Sequence, residues 1–238
     1  MDVDILCITA HPDDVEISMA GTVLKHVAQG RKVGMVDLTR GELGTRGSAE
    51  IRSKEAEEAR KLLGAEFREQ VGLADGFFDI DRATLEQVII PIRRFRPKLV
   101  LTNALEDRHP DHGRAASLVA RAAFLSGLRR ISVEHDGTEL PAWRPGRVLH
   151  AIQDHWAAPD LVIDIGPFWE KKMEALRCFG SQFHDPRSNE PSSPISTPDF
   201  FPFLEGRARE MGRLIQVTFG EGFQHSGPLP VEDLLAFG

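Results

Sequence analysis

The chain has 238 residues, of which 41% are hydrophobic and 27% charged, with a formal net charge of -7. That length and composition suit one sizeable core, and the acidic balance argues against general affinity for nucleic acid or anionic membranes, which relies on clustered Lys and Arg. Two cysteines, Cys7 and Cys178, make no disulfide framework and are expected as free thiols of a reducing compartment. The N-terminal MDVDILCITAH has no basic leader region, and no apolar run approaches the ~20 residues of a membrane span, so a soluble, cytoplasmic protein is expected.

In chain order, Val3–Thr9 is β-branched and nearly all apolar, as in a strand buried on both faces of a parallel sheet. Ile17–Gln29 has helical apolar spacing and ends at Gly30. Lys32–Leu38 is a second strand, residues 39–48 form a loop with three glycines, and Ala49–Leu63 is an amphipathic helix closed by Gly64. Phe67–Leu73 is a weaker strand, Arg82–Phe95 a helix despite Pro91, Lys98–Thr102 a buried strand and His112–Gly127 an Ala-rich helix. Four such alternations predict a mostly parallel sheet with right-handed crossovers, a Rossmann-like three-layer α/β sandwich forming one domain over 1–238. Beyond residue 130 the rhythm changes into a C-terminal elaboration. Ser132–Arg147 is turn-rich, Val148–Gln153 and Leu161–Ile165 are further strands, and Pro167–Phe179 is a helix. Ser181–Pro202, with five prolines, is a long loop that serves as a lid or as an oligomer contact, and Glu205–Leu214 is a last helix.

Ligands of open α/β sheets bind beyond the carboxyl ends of the strands. His11, Asp13 and Asp14 follow the first strand; Asp107, Arg108, His109, Asp111 and His112 follow the fourth, so both clusters fall on one rim. Either alone reads most simply as a helix cap or a polar loop. Together they suit a metal site. His11 and Asp14, three apart, share a face in a helical turn, and His112 is a third ligand. Two His and one carboxylate with an open position is a catalytic zinc arrangement, though Fe2+ accepts a similar set. Such a metal suits hydrolysis of an unactivated amide. Asp13 is then the general base, His109 the stabiliser of the oxyanion or proton donor to the leaving nitrogen, and Asp111 the residue that orients His109 and raises its pKa.

Ala10-His11-Pro12-Asp13-Asp14 and His109-Pro110-Asp111-His112 resemble the two signatures of the LmbE/PIG-L zinc deacetylases. The run from Asp37 to Gly47, Asp107-Arg108-His109 with His112-Gly113, and Ser181-Gln182-Phe183 resemble the branch that deacetylates N-acetylglucosaminyl-malate in bacillithiol biosynthesis. The resemblance implies a Rossmann-like fold, a small N-acetylglucosaminide as substrate, His11, Asp14 and His112 as zinc ligands, Asp13 as base, His109 as its electrostatic partner, and a homo-oligomer. Val15 stands where the family often has Glu, and the absence of tyrosine removes a tyrosine-assisted mechanism.

A malate conjugate carries two carboxylates, which Arg46, Arg52 and Arg108 are suited to meet; Glu42 and Asp75 are weaker candidates for sugar hydroxyls. The alternatives are a deacetylase of an inositol conjugate or a chitooligosaccharide, and a Rossmann-type nucleotide-binding or sugar-binding module. The first βα turn has no G-x-G-x-x-G for a pyrophosphate, which weighs against a nucleotide-binding module.

Overall fold

The computed structural model describes residues 1–229 and Asp233. Strands β1 (Ile5–Thr9), β2 (Val33–Asp37), β3 (Phe67–Gln70) and β4 (Leu99–Thr102) alternate with helices α1 (Asp14–Ser18), α2 (Ala20–Ala28), α3 (Ala49–Leu63), α4 (Arg82–Phe95) and α5 (Pro110–Leu125). A short hairpin, β5 (Glu134–His135) and β6 (Thr138–Glu139), leads to β7 (Arg147–Ala151) and β8 (Leu161–Asp164). A 3-10 turn, Gly166–Phe168, precedes α6 (Trp169–Arg177), α7 (Phe200–Leu214) and β9 (Gly220–Gln224). The main sheet has the order β3-β2-β1-β4-β7-β9-β8. Its first five strands are parallel, and β9 is antiparallel to both of its neighbours.

Side-chain alternation on β1 divides the core. Leu6 and Ile8 pack with Val88, Ile92, Leu118 and Val119 of α4 and α5; Ile5 and Cys7 pack with Val23 and Leu24 of α2 on the opposite face. A third cluster joins Ile17, Trp169, Phe179, Phe183 and Phe200. Both thiols are free, Cys7 buried and Cys178 half-buried. Among the described residues no helix is long and apolar enough to cross a membrane.

Several elements differ from the sequence expectation. The helix expected over Ile17–Gln29 begins at Asp14 and is broken at Met19, whose φ of -144° and ψ of 11° lie outside the helical region. The break is held by Glu221, whose carboxylate accepts the Gly21 and Thr22 N–H groups at 3.0 and 2.6 Å while pairing with Lys172 at 2.7 Å. Helix α5 begins at Pro110, a first-turn position where the missing N–H costs nothing, and ends at Leu125. Helix α7 begins at Phe200, inside the stretch expected as loop. Strands β5, β6 and β9 were not expected; β9 fills the gap between β7 and β8.

Candidate active site

Strands β1 and β4 are neighbours, and the chain departs from them to opposite sides of the sheet: β2 and β3 lie beyond β1, β7 beyond β4. The crevice at such a reversal is the default ligand position of a doubly wound sheet. His11, Asp13 and Asp14 leave the end of β1, and Asn103 to His112 leave the end of β4. They meet there. A cavity of about 360 Å³ is lined by His11, Asp13, Asp14, His109 and His112, together with all three expected arginines, Arg46, Arg52 and Arg108.

Asp14 lies at the centre. One carboxylate oxygen is 3.6 Å from His11 Nδ1 and the other 3.1 Å from His112 Nε2. The carboxylate also accepts hydrogen bonds from the His11 backbone N–H, the Asn103 amide and the Gln153 amide, each at 2.9 Å. Each imidazole gives its other nitrogen to an outer carboxylate: His11 Nε2 to Asp75 Oδ1 at 3.1 Å, His112 Nδ1 to Asp107 Oδ2 at 2.5 Å. Asp111 Oδ2 lies 3.6 Å from His11 Nε2. Burial alone would lower the pKa of both imidazoles, but hydrogen bonds to Asp111, Asp14 and Asp75 hold His11 well above its usual value. The charge of Asp14, with hydrogen bonds to Asp107 and Asp14, takes His112 up to about 9. Burial pushes Asp14 up, yet the His112 charge and the His11 and His112 contacts hold it well below the usual carboxylate range. Asp75, against its own burial, is drawn down to about 2 by His11.

Ring nitrogens of His11, His109 and His112 lie within 4.8 Å of one another, as do the donor atoms of His11, Asp75 and Asp111. Both groups could hold a cation. The outer carboxylates on His11 and His112 are what a metal-ligating imidazole ordinarily carries, because they fix its tautomer and strengthen it as a donor. The residues present therefore suit a divalent cation at His11 and His112; Asp14 faces both imidazoles but belongs to neither group of converging donor atoms.

Asp13 lines the same cavity but is paired outside this set. Its Oδ2 accepts from Arg52 at 2.9 Å, and both side chains are buried. Arg52 also donates to the Gly41 carbonyl at 3.2 Å, so the guanidinium expected to meet substrate is committed to the expected base. Arg46 is buried, with Nε 3.6 Å from the Glu190 carboxylate and no hydrogen bond of its own at that atom. Arg108 pairs with Asp154 on the rim.

The expected role of Asp111 is not met. Its carboxylate accepts from the Gly76 N–H at 2.8 Å and Arg114 at 2.7 Å, and none of its side-chain hydrogen bonds reaches His109. His109 Nδ1 instead accepts the Asp111 backbone N–H at 3.3 Å, as the cap of α5. Nor is the His109 pKa raised: burial lowers it first, and the neighbouring His11 and His112 charges lower it further. A neutral imidazole that accepts at Nδ1 carries its proton on Nε2. Asp75, read from the sequence as a sugar-hydroxyl acceptor, faces His11, and Glu42 accepts the Asp75 N–H at 3.0 Å. Asp107 and Gln153 were assigned no task in the sequence reading. The Gln153 partner, Asp14, lies 139 residues away, whereas Asp107 reaches His112 only five residues on, through the loop geometry before α5.

The region 181–202 walls one side of the cavity through Ser193, Pro194 and Ile195. It is tied to the glycine loop by the Gln182 amide on the Arg46 carbonyl and by Glu190 on the Gly47 N–H.

A family model described as PIG-L, GlcNAc-PI de-N-acetylase, matches residues 6–124. A solved structure of a conserved protein from Thermus thermophilus superposes with a TM-score of 0.84 at 31% identity, covering 98% of this chain and 97% of that one. Diacetylchitobiose deacetylase of Thermococcus kodakarensis is 28% identical over 190 residues, 75% of this chain and 70% of its own. 4-Oxalmesaconate hydratase of Pseudomonas putida is 28% identical over 203 residues, 75% of this chain and 74% of its own. Two further similar proteins, each 27% identical over 75% of this chain, are the 1D-myo-inositol 2-acetamido-2-deoxy-alpha-D-glucopyranoside deacetylase of Acidothermus cellulolyticus and the probable N-acetyl-alpha-D-glucosaminyl L-malate deacetylase 2 of Bacillus anthracis, with 79% and 81% of their own lengths covered.

Proposed function

The chain belongs to the PIG-L (GlcNAc-PI de-N-acetylase) family, and we propose that it is a metal-dependent N-deacetylase that hydrolyses the acetamide of an N-acetylglucosamine conjugate to the free amine and acetate. The observation that carries this reading is the arrangement around Asp14, with two imidazoles turned toward one carboxylate and each backed by another. His11, Asp14 and His112 would hold the metal. When bound, a divalent ion such as Zn2+ supplies Lewis acidity, polarising the amide carbonyl and acidifying water. Fe2+ suits the same donors.

Asp13, next in sequence to a ligand but paired outside that set, takes the proton from the attacking water. Arg52 holds that carboxylate in one orientation while Asp13 retains a second oxygen for the proton. His109 presents an Nε2–H as a fixed donor to the developing oxyanion, which needs no imidazolium. Its ring lies edge-on to His11 with centroids 4.6 Å apart, next to the proposed metal position. Asp111 acts on His11 rather than on His109, as one of the carboxylates facing its Nε2.

The substrate class is an N-acetylglucosaminide, and its finer identity depends on the aglycone. The malate conjugate expected from the sequence is anionic; an inositol or a second sugar is neutral. The proposed setting is the cytoplasm, in keeping with the free thiols of Cys7 and Cys178.

Acetate release from N-acetylglucosamine conjugates, measured on metal-depleted and zinc-reconstituted protein, tests the reading. Turnover restored by the metal is expected. Equal rates in the two preparations overturn it.

A further inference from the structure

Every arginine that lines the cavity already faces a carboxylate of this chain: Arg52 faces Asp13, Arg46 faces Glu190 and Arg108 faces Asp154. The third pair bears on the aglycone. The Asp154 backbone is fixed from both sides. Its N–H donates to Asp107 Oδ1 at 3.0 Å, and Arg207 donates to the carbonyls of Gln153, Asp154 and His155 at 3.0, 3.0 and 3.2 Å. Asp107 is the same carboxylate that backs His112, so the Asp154 segment is registered against the proposed metal ligands.

Behind the Arg108–Asp154 pair lies a second chamber of about 220 Å³ that shares Arg108, Pro194 and Ile195 with the main cavity. Asp154, Thr197, Asp199, Phe200 and Phe203 line the rest of it. Phe203 keeps 37% of its surface exposed. Arg207 lies over one side of the Phe203 ring, with Cζ 5.5 Å from the centroid; the rest of that aromatic surface, beside carboxylate and hydroxyl acceptors, suits an uncharged polyhydroxylated ring whose C–H face packs on it while its hydroxyls donate to the acceptors. A dicarboxylate there would share the chamber with Asp154 and Asp199 and would have to displace Asp154 to reach Arg108, a like-charge juxtaposition that is unfavourable.

We propose that this chamber is an aglycone subsite for a neutral sugar ring, and that Asp154 is the specificity-determining residue that excludes an anionic aglycone. The proposal rests on the deacetylase reading above and narrows its substrate class to a conjugate of N-acetylglucosamine with a second, uncharged sugar.

The test compares binding of N,N'-diacetylchitobiose and of N-acetylglucosaminyl malate by calorimetry, in an Asp13→Asn background that slows hydrolysis. With Asp154 in place the disaccharide binds at least about tenfold more tightly. Asp154→Ala narrows that ratio by at least about tenfold, through tighter binding of the malate conjugate, and Phe203→Ala weakens the disaccharide alone. Tighter binding of the malate conjugate with Asp154 present overturns the proposal, as does an unchanged ratio in a folded Asp154→Ala protein. Acetate release by the unmodified protein is read separately. If neither conjugate is deacetylated while the binding ratio holds, the activity reading fails and the subsite stands.

Discussion

Asp75 joins His11 across 64 residues of sequence, with Oδ1 at 3.1 Å from Nε2, while its Oδ2 accepts the Leu43 N–H at 2.9 Å. Glu42 returns the contact by accepting the Asp75 N–H, so the glycine loop after β2 and the imidazole after β1 are fixed by one carboxylate. Asp75→Asn keeps the shape but loses the charge that strengthens His11 as a donor. Zinc affinity, measured by competition with a chelator, is expected to fall about 10- to 100-fold. An unchanged affinity would remove Asp75 from this role.

Asp13→Asn separates the base from the metal site. The amide oxygen still accepts from Arg52, so the fold and bound zinc are retained. Turnover falls by about 10²- to 10⁴-fold, the usual contribution of a positioned proton acceptor. Zinc content by atomic absorption and acetate release on one preparation check it, and full activity would exclude Asp13 as the base.

Gly41 has a φ of +63°, and a Cβ there would lie 2.1 Å from one Arg52 terminal nitrogen. Gly41→Ala therefore strains the backbone and drives the guanidinium off Asp13. The expected outcome is a loss of about 1 kcal/mol or more in stability, with a fall in kcat of up to about 100-fold as the base loses its orientation. Urea unfolding and steady-state kinetics read the two separately. Stability lost without activity would show that the base does not depend on Arg52.

His150 is buried on β7, and burial lowers its pKa from the unfolded value of 6.5. A folded-state pKa below the unfolded one means that the unfolded chain binds the extra proton first. The His150 contribution is thus fully present above pH 6.5 and is lost as the pH falls through the lower folded value. The unfolding free energy of the unmodified protein should drop faster than that of His150→Gln between pH 7.5 and about pH 5. Parallel curves would contradict it.

Much of the parallel half of the sheet was legible because its periodicity is strong and local. Ala49–Leu63 and Arg82–Phe95 are helices with the bounds the sequence predicts, and the polar residues at the ends of Ile5–Thr9 and Leu99–Thr102 converge as strand order requires. What escaped detection has no local signal. Strand β9 reads GEGFQ, with two glycines, two polar residues and no β-branched side chain. The glycines are there for closeness: a Cβ on Gly220 would sit 2.7 Å from Val162, and one on Gly222 2.8 Å from the Met211 sulfur. The outer partners of the imidazoles were hidden for a different reason. Asp75 is an ordinary loop carboxylate until the fold brings His11 to it across 64 residues, and Asp107 meets His112, five residues on, only through the turn that starts α5. Asp111 misled because sequence adjacency to His109 suggested a side-chain contact, whereas the first turn of α5 turns its carboxylate to Gly76, Arg114 and His11.

The position of β9 has a consequence for synthesis. Within the sheet, β8 is paired to β9 alone and so has no edge to join until residues 220–224 have left the ribosome, although β8 itself is complete some sixty residues earlier. Glu221 of that same strand caps the broken helix behind His11. The nascent chain therefore carries both halves of the candidate site's rim well before it can fasten the helix that supports one of them.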